Sequence, residues 1–154
     1  MIPHAYLAFA QARFRLDWKG IHGLPHWARV RRNGLWLAPH TQADPAVVEA
    51  FAFVHDLERH NDDYDPEHGL RAARLAHEVH GSLLGLTPAQ VRQVCTACEG
   101  HSDGLHSSDP TVATCWDADR LDLGRVGIVP DPNRLETKAA RQPEVIAWAL
   151  RRSR

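Results

Sequence analysis

Ala50-Phe51-Ala52-Phe53-Val54-His55-Asp56 decides how this chain folds, because it sets an adjacent imidazole and carboxylate in an otherwise apolar run. Asp44-Pro45 stands just upstream. An aspartate can accept from a free backbone N–H, and proline at the first helical position loses no hydrogen bond, so the pair starts a helix. Stepping back four and seven residues from His55 reaches Phe51 and Val48, which puts the ring on the apolar stripe, with Asp56 about a quarter-turn away. A carboxylate on such a helix is costly unless something neutralises it, and a metal ion would do so.

The same punctuation recurs at Asp65-Pro66, Asp109-Pro110 and Asp131-Pro132, so three or four helices are expected to start at these dipeptides. Leu86-Thr87-Pro88-Ala89-Gln90-Val91 spells a further start, with Thr87 and Gln90 as reciprocal caps and Leu86 and Val91 as a hydrophobic staple. No comparable strand signal occurs. The pattern predicts an all-α fold, a single compact bundle of about six to seven helices over 1–154. The helices are expected near 4–16, 26–38, 45–60, 66–80, 88–99, 110–122 and 143–152, with 130–137 a long connection.

Charge and composition narrow the function. Lys and Arg number 18 against 19 Asp and Glu, so there is no broad attraction to a phosphate backbone or an anionic membrane. No apolar run is long enough to span a bilayer. Arg13, Arg15 and His4 interrupt the N-terminal apolar pattern, which argues against a signal peptide and makes a cytoplasmic location the expectation. Cys95, Cys98 and Cys115 are then expected reduced. Cys95 and Cys98 share helical spacing with Val91 and Val94, so they read as small residues on a buried face, with a redox or zinc pair as the other reading. Composition leaves the oligomeric state open.

Eleven histidines in 154 residues call for a facing test, since imidazole is the side chain most used for metal ligation and proton transfer near neutral pH. His26 shares a face with Val30, Asn33 and Leu37, whereas His22 precedes Pro25 in a turn. His68 leads a stripe of Ala72, Leu75 and Val79, while His77 is expected to face out. His101 lies in the glycine-bordered loop Glu99-Gly100-His101-Ser102-Asp103-Gly104, with His106 close by as a substitute. Asp117 aligns with Ala113 and Leu121, but Asp119 and Asp122 rotate off that line, so Asp117 is the expected inward carboxylate.

In order along the chain, His22-Gly-Leu-Pro-His26-Trp-Ala-Arg29-Val30, Val54-His55-Asp56 and Trp116-Asp117-Ala118-Asp119-Arg120-Leu121 resemble the HD superfamily of metal-dependent phosphohydrolases. The resemblance spans 22 to about 125, and His68-Gly69 and His101-Ser102 look like the extra histidines of its two-metal branch. It implies that His26, His55, Asp56 and Asp117 hold one divalent transition metal, and that His68 and His101 complete a second with Asp56 bridging. Imidazole and carboxylate ligands suit manganese, iron, cobalt, nickel or zinc. The implied activity is hydrolysis of a phosphomonoester or phosphodiester of a small molecule or nucleotide by metal-activated water. Arg29 and Arg120 are candidate phosphate contacts, each equally able to pair with a structural carboxylate. His22, His106 or Asp103 could pass a proton to the leaving group.

Arg59 stands three positions beyond Asp56, where some single-metal nucleotidases of the family place a carboxylate, and this weakens a 5′-nucleotidase reading. No Gly-x-Ser-x-Gly or P-loop pattern is present, which disfavours covalent catalysis and nucleotide-cradle chemistry. Two readings compete with hydrolysis. One is a di-iron oxygenase of the same helical fold, of the myo-inositol oxygenase kind. The other is a non-catalytic regulatory or ligand-binding module in which the metal serves stability.

Overall fold

Three of the seven α-helices begin at a side-chain cap that the sequence provides. In the computed structural model, which describes residues 1–153, the Asp44 carboxylate accepts from Ala46 N at 2.9 Å and that of Asp109 accepts from Thr111 N and Val112 N. Gln90 N donates to Thr87 Oγ1, and Thr87 N donates back to Gln90 Oε1, closing the expected capping box. Seven α-helices result among the described residues: α1 (His4–Arg13), α2 (Leu24–Thr41), α3 (Pro45–Val54), α4 (His68–Val79), α5 (Pro88–Gly100), α6 (Pro110–Arg120) and α7 (Pro143–Leu150). A π-turn continues α4 over His80–Leu84, and 3-10 turns occupy Leu123–Val126 and Pro132–Arg134. The described residues form no strand, so the chain is all-α as the sequence predicts.

Helix α3 is the axis of the bundle. Every residue from Val47 to Val54 is buried, because α2, α5 and α6 all pack around it. A Cβ at Gly34 would collide with Val48 Cγ1, so glycine lets α2 come close to α3. Gly69 plays the same part between α4 and α5, where a Cβ would strike the Cys98 carbonyl oxygen. The main core gathers Tyr6, Trp27, Val30, Phe51, Val54, Ala72 and Trp116. A smaller cluster of Leu37, Leu121, Leu135, Ile146 and Ala149 fastens α7 and the strap of residues 121–142 that precedes it. No helix among the described residues is long and apolar enough to cross a membrane.

Several boundaries depart from the sequence reading, α1 among them, which ends at Arg13 and not at 16. Helix α3 stops at Val54 instead of running to 60, so His55 and Asp56 sit at its C-terminal edge. His55 N still bonds to Phe51 O at 3.0 Å, which keeps the ring on the helical stripe. Helix α2 continues through Pro39 to Thr41. Asp65 caps nothing, because its carboxylate is taken by His60 N and Arg71, and α4 begins three residues later at His68. Asp131 caps only a 3-10 turn. The three cysteines are free, with Cys98 and Cys115 buried and the Cys95 thiol donating to Ala73 O at 3.3 Å.

Candidate metal centre

Four imidazoles from four segments converge on one carboxylate. His26 comes from the first turn of α2, His55 and Asp56 from the edge of α3, His68 from the start of α4, and His101 from the residue after α5. All five are buried, with Asp56 2% exposed. Asp56 Oδ2 lies 3.5 Å from His26 Nε2 and 3.6 Å from His55 Nε2. Its other oxygen, Oδ1, lies 3.4 Å from His68 Nε2 and 3.7 Å from His101 Nε2. One carboxylate thus serves two imidazole pairs, one from each oxygen.

The outer nitrogen of every ring is already committed. His55 Nδ1 donates to Phe51 O, His68 Nδ1 to Asp65 O, and His101 Nδ1 to Cys98 O at 2.7 Å. His26 Nδ1 donates to Asp122 Oδ2 at 2.7 Å. A carbonyl or carboxylate oxygen only accepts, so each Nδ1 carries a proton, and each ring in its neutral form turns the Nε2 lone pair inward. The lone pairs meet each other at 3.1 Å between His26 and His55 and at 2.8 Å between His68 and His101. Facing lone pairs beside a carboxylate repel unless a cation lies among them. Two ligand nitrogens about 2.1 Å from a common ion stand about 3.0–3.4 Å apart at octahedral to tetrahedral angles; the His26–His55 pair meets this spacing, and the His68–His101 pair would open by a few tenths of an ångström to take a transition metal.

The protonation balance leads to the same conclusion. Burial dominates at His55 and pushes its pKa down to about 3. Burial and the neighbouring His101 also lower that of His68. At His26 burial is outweighed by the facing carboxylates of Asp119 and Asp122, and at His101 by that of Asp56, so both of these are raised. Each pair therefore contains one ring that attracts a positive charge and one that refuses it. Burial works against ionisation of Asp56, yet the surrounding imidazoles hold its carboxyl well below the usual range.

Asp117 is not part of this cluster, which corrects the sequence reading. Its two oxygens accept from Glu136 N and Thr137 N at 2.7 and 2.8 Å, and the carboxylate anchors the strap before α7. Asp119 takes the inward place, with Oδ1 3.3 Å from His26 Nε2 and 3.7 Å from His55 Nε2. The stripe test misled because α6 is buried on all sides from Thr111 to Ala118, so apolar alignment does not single out one face. A better signal was the three-residue spacing of Asp119 and Asp122, which places both on one side and lets them bracket the two nitrogens of His26.

The two arginines separate. Arg29 Nε donates to the buried Asp122 at 2.7 Å, and Ser153 Oγ donates to the same oxygen, so Arg29 steadies the His26 clamp, the structural-carboxylate pairing that the sequence left open beside a phosphate contact. Arg120 lines a cleft of about 830 Å³ that also exposes Asp56, His101 and Asp119. Its Nη1 donates to Arg134 O and Glu136, whereas its Nη2 is buried without a hydrogen-bond partner. Of the proton-transfer candidates, His22 Nδ1 donates to Asp56 Oδ2 at 2.9 Å inside the protein. His106 is exposed and pairs with Glu136 on the cleft wall, and Asp103 is exposed. Arg59, to which the sequence reading gave no site role, donates from Nε to Asp56 Oδ1 at 3.1 Å.

Among solved structures, the chain is similar to a predicted HD superfamily hydrolase from an uncultured Thermotogales bacterium. The TM-score is 0.72 at 24% identity, over 96% of this chain and 86% of that one. The chain has the HD fold. No family model matches it, and no curated protein matches it significantly. Within the HD fold the His55-Asp56 pair sits at the meeting point of the converging segments, where His26, His68 and His101 reach it.

Proposed function

We propose that the protein is a metal-dependent phosphohydrolase that cleaves a phosphomonoester or phosphodiester of a small molecule or nucleotide. The observation that carries this reading is the division of one buried carboxylate between two imidazole pairs, His26 with His55 and His68 with His101. His26, His55, Asp56 and Asp119 would hold one divalent transition metal, and Asp56, His68 and His101 a second. Two such ions supply Lewis acidity and bring the pKa of water from about 15.7 towards about 7.

The chain's own residues supply orientation. The Nδ1 hydrogen bonds fix each ring with its lone pair inward, so no ligand has to reorganise on loading. Arg120 offers its unpartnered Nη2 to a phosphoryl oxygen, while its Nη1 is held by Glu136 and the Arg134 carbonyl. In the reaction the water oxygen bonds to phosphorus and gives up a proton, the ester P–O bond breaks, and the departing oxygen takes a proton, so that phosphate and an alcohol are released.

Elemental analysis of the purified protein, together with phosphate release from a panel of monoesters and diesters under added manganese, cobalt or nickel, tests the reading. The expected result is metal approaching two ions per chain and release that chelation abolishes. Full activity in metal-free protein would overturn it. Oxygen consumption by an iron-loaded form without phosphate release would replace it with the oxygenase reading.

A further inference from the structure

We infer that the strap after α6 selects a substrate whose leaving group is apolar or aromatic, a refinement that rests on the phosphohydrolase reading. Ile128 and Val129 line the same cleft as Asp56, His101 and Asp119, yet they are 51% and 67% exposed. Large apolar side chains left adjacent on a surface mark a place where something apolar docks. Continuity with the metal cluster identifies the occupant as the substrate itself.

Space and rigidity support this assignment. The cleft of about 830 Å³ is of the size that buries a drug-sized ligand and far exceeds what a phosphoryl group fills. Space beyond the metal cluster is therefore open to the leaving group, with Ile128, Val129 and Pro130 on one wall and Arg125, Asp131, Asn133 and Arg134 elsewhere in the lining. Ile128, Val129 and Pro130 offer no side-chain donor or acceptor to a polyol, so a hydroxyl-rich leaving group would lose hydrogen bonds with water along that wall and gain none there.

The apolar wall is also held in place. Gly127 adopts φ 78°, a left-handed turn that glycine accommodates without strain, and Ile128 N bonds to Leu123 O at 3.2 Å. Further along, Leu135 is buried, Arg141 donates to its carbonyl, and Asp117 takes the next two N–H groups. A wall pinned at both ends discriminates between ligands without first having to order itself.

The test compares esters that both release a primary alcohol, 2-phenylethyl phosphate and glycerol 3-phosphate, so that the bond broken is alike and only the leaving group differs. Metal-loaded protein is expected to prefer the phenylethyl ester in kcat/KM by about tenfold or more, the scale of a few buried methylenes. The double variant Ile128→Ser with Val129→Ser should reduce that preference by about tenfold through KM. Equal use of the two esters, or an unchanged preference in the variant, overturns the inference. Titration with 2-phenylethylphosphonate and methylphosphonate, which lack the ester bond, keeps the two readings apart. Selective binding of the phenylethyl compound with no turnover of either ester, nor of any monoester or diester in the panel, refutes the hydrolase reading and leaves the strap's selectivity supported. Turnover with no selectivity in either measurement refutes the strap alone.

Discussion

The two halves of the cluster are built differently around the same aspartate. In the half formed by His26 and His55, both rings are fully buried, a second carboxylate stands within 3.7 Å, and Asp122 clamps His26 from behind. In the half formed by His68 and His101, Asp56 Oδ1 is the carboxylate oxygen within reach, and both rings are steadied by backbone carbonyls. A dication in the first half meets more negative charge in a drier setting, where electrostatic attraction is stronger. The first half should thus be the tighter site and the second the more exchangeable one.

The shared aspartate gives the largest expected effect. Asp56→Asn should leave neither half loaded in elemental analysis and cut kcat/KM on the order of a thousandfold or more, since it removes several kcal/mol of charge stabilisation. Next comes the asymmetry itself. His68→Gln should reduce the metal content by about one ion per chain and leave the other in place. His55→Gln should lower it further, because the remaining half holds its ion more weakly. Equal losses in the two variants would erase the distinction between the halves.

Acid should sharpen the contrast. His26 and His101 have raised pKa values, so their protonated forms persist to higher pH than an ordinary histidine and compete with metal already above about pH 6.5. Affinity in both halves should fall as pH drops from 8 to 5. Calorimetric titration should show the weaker half giving up its ion at the higher pH.

The smallest effects separate two neighbouring aspartates. Asp122→Asn should weaken metal binding by about 10–100-fold through His26, the usual size of an outer hydrogen-bond loss. Asp117→Asn should leave metal content unchanged and lower the melting temperature, because it weakens the hold on the strap at Glu136 and Thr137. Loss of metal in that variant would return Asp117 to the ligand set.

Caps made much of the architecture legible. Asp44, Thr87 and Asp109 mark helix starts through local hydrogen bonds that need no knowledge of the rest of the chain. His26, His55 and His68 were legible because each leads or closes an apolar stripe, and the HD resemblance joined them to His101. Asp65 was misread because its carboxylate is captured by Arg71, a tertiary contact that local spacing does not reveal. The choice between Asp117 and Asp119 failed for a related reason. On a helix surrounded by protein, inward has more than one direction, and the strap that claims Asp117 arrives from nineteen residues downstream. The same kind of long-range capture hid the role of Arg29, whose partner Asp122 lies 93 positions away.

Gly69 ties ligand spacing to the main chain. A methyl group there would wedge α4 away from the Cys98 carbonyl, and the His101 ring stands 3.4 Å from the same point. The gap between His68 and His101 is consequently set by how closely two backbones pass, and rotamer adjustment has little say in it. Enlarging this one position would retune the exchangeable half by spreading its jaws, without altering a single donor atom.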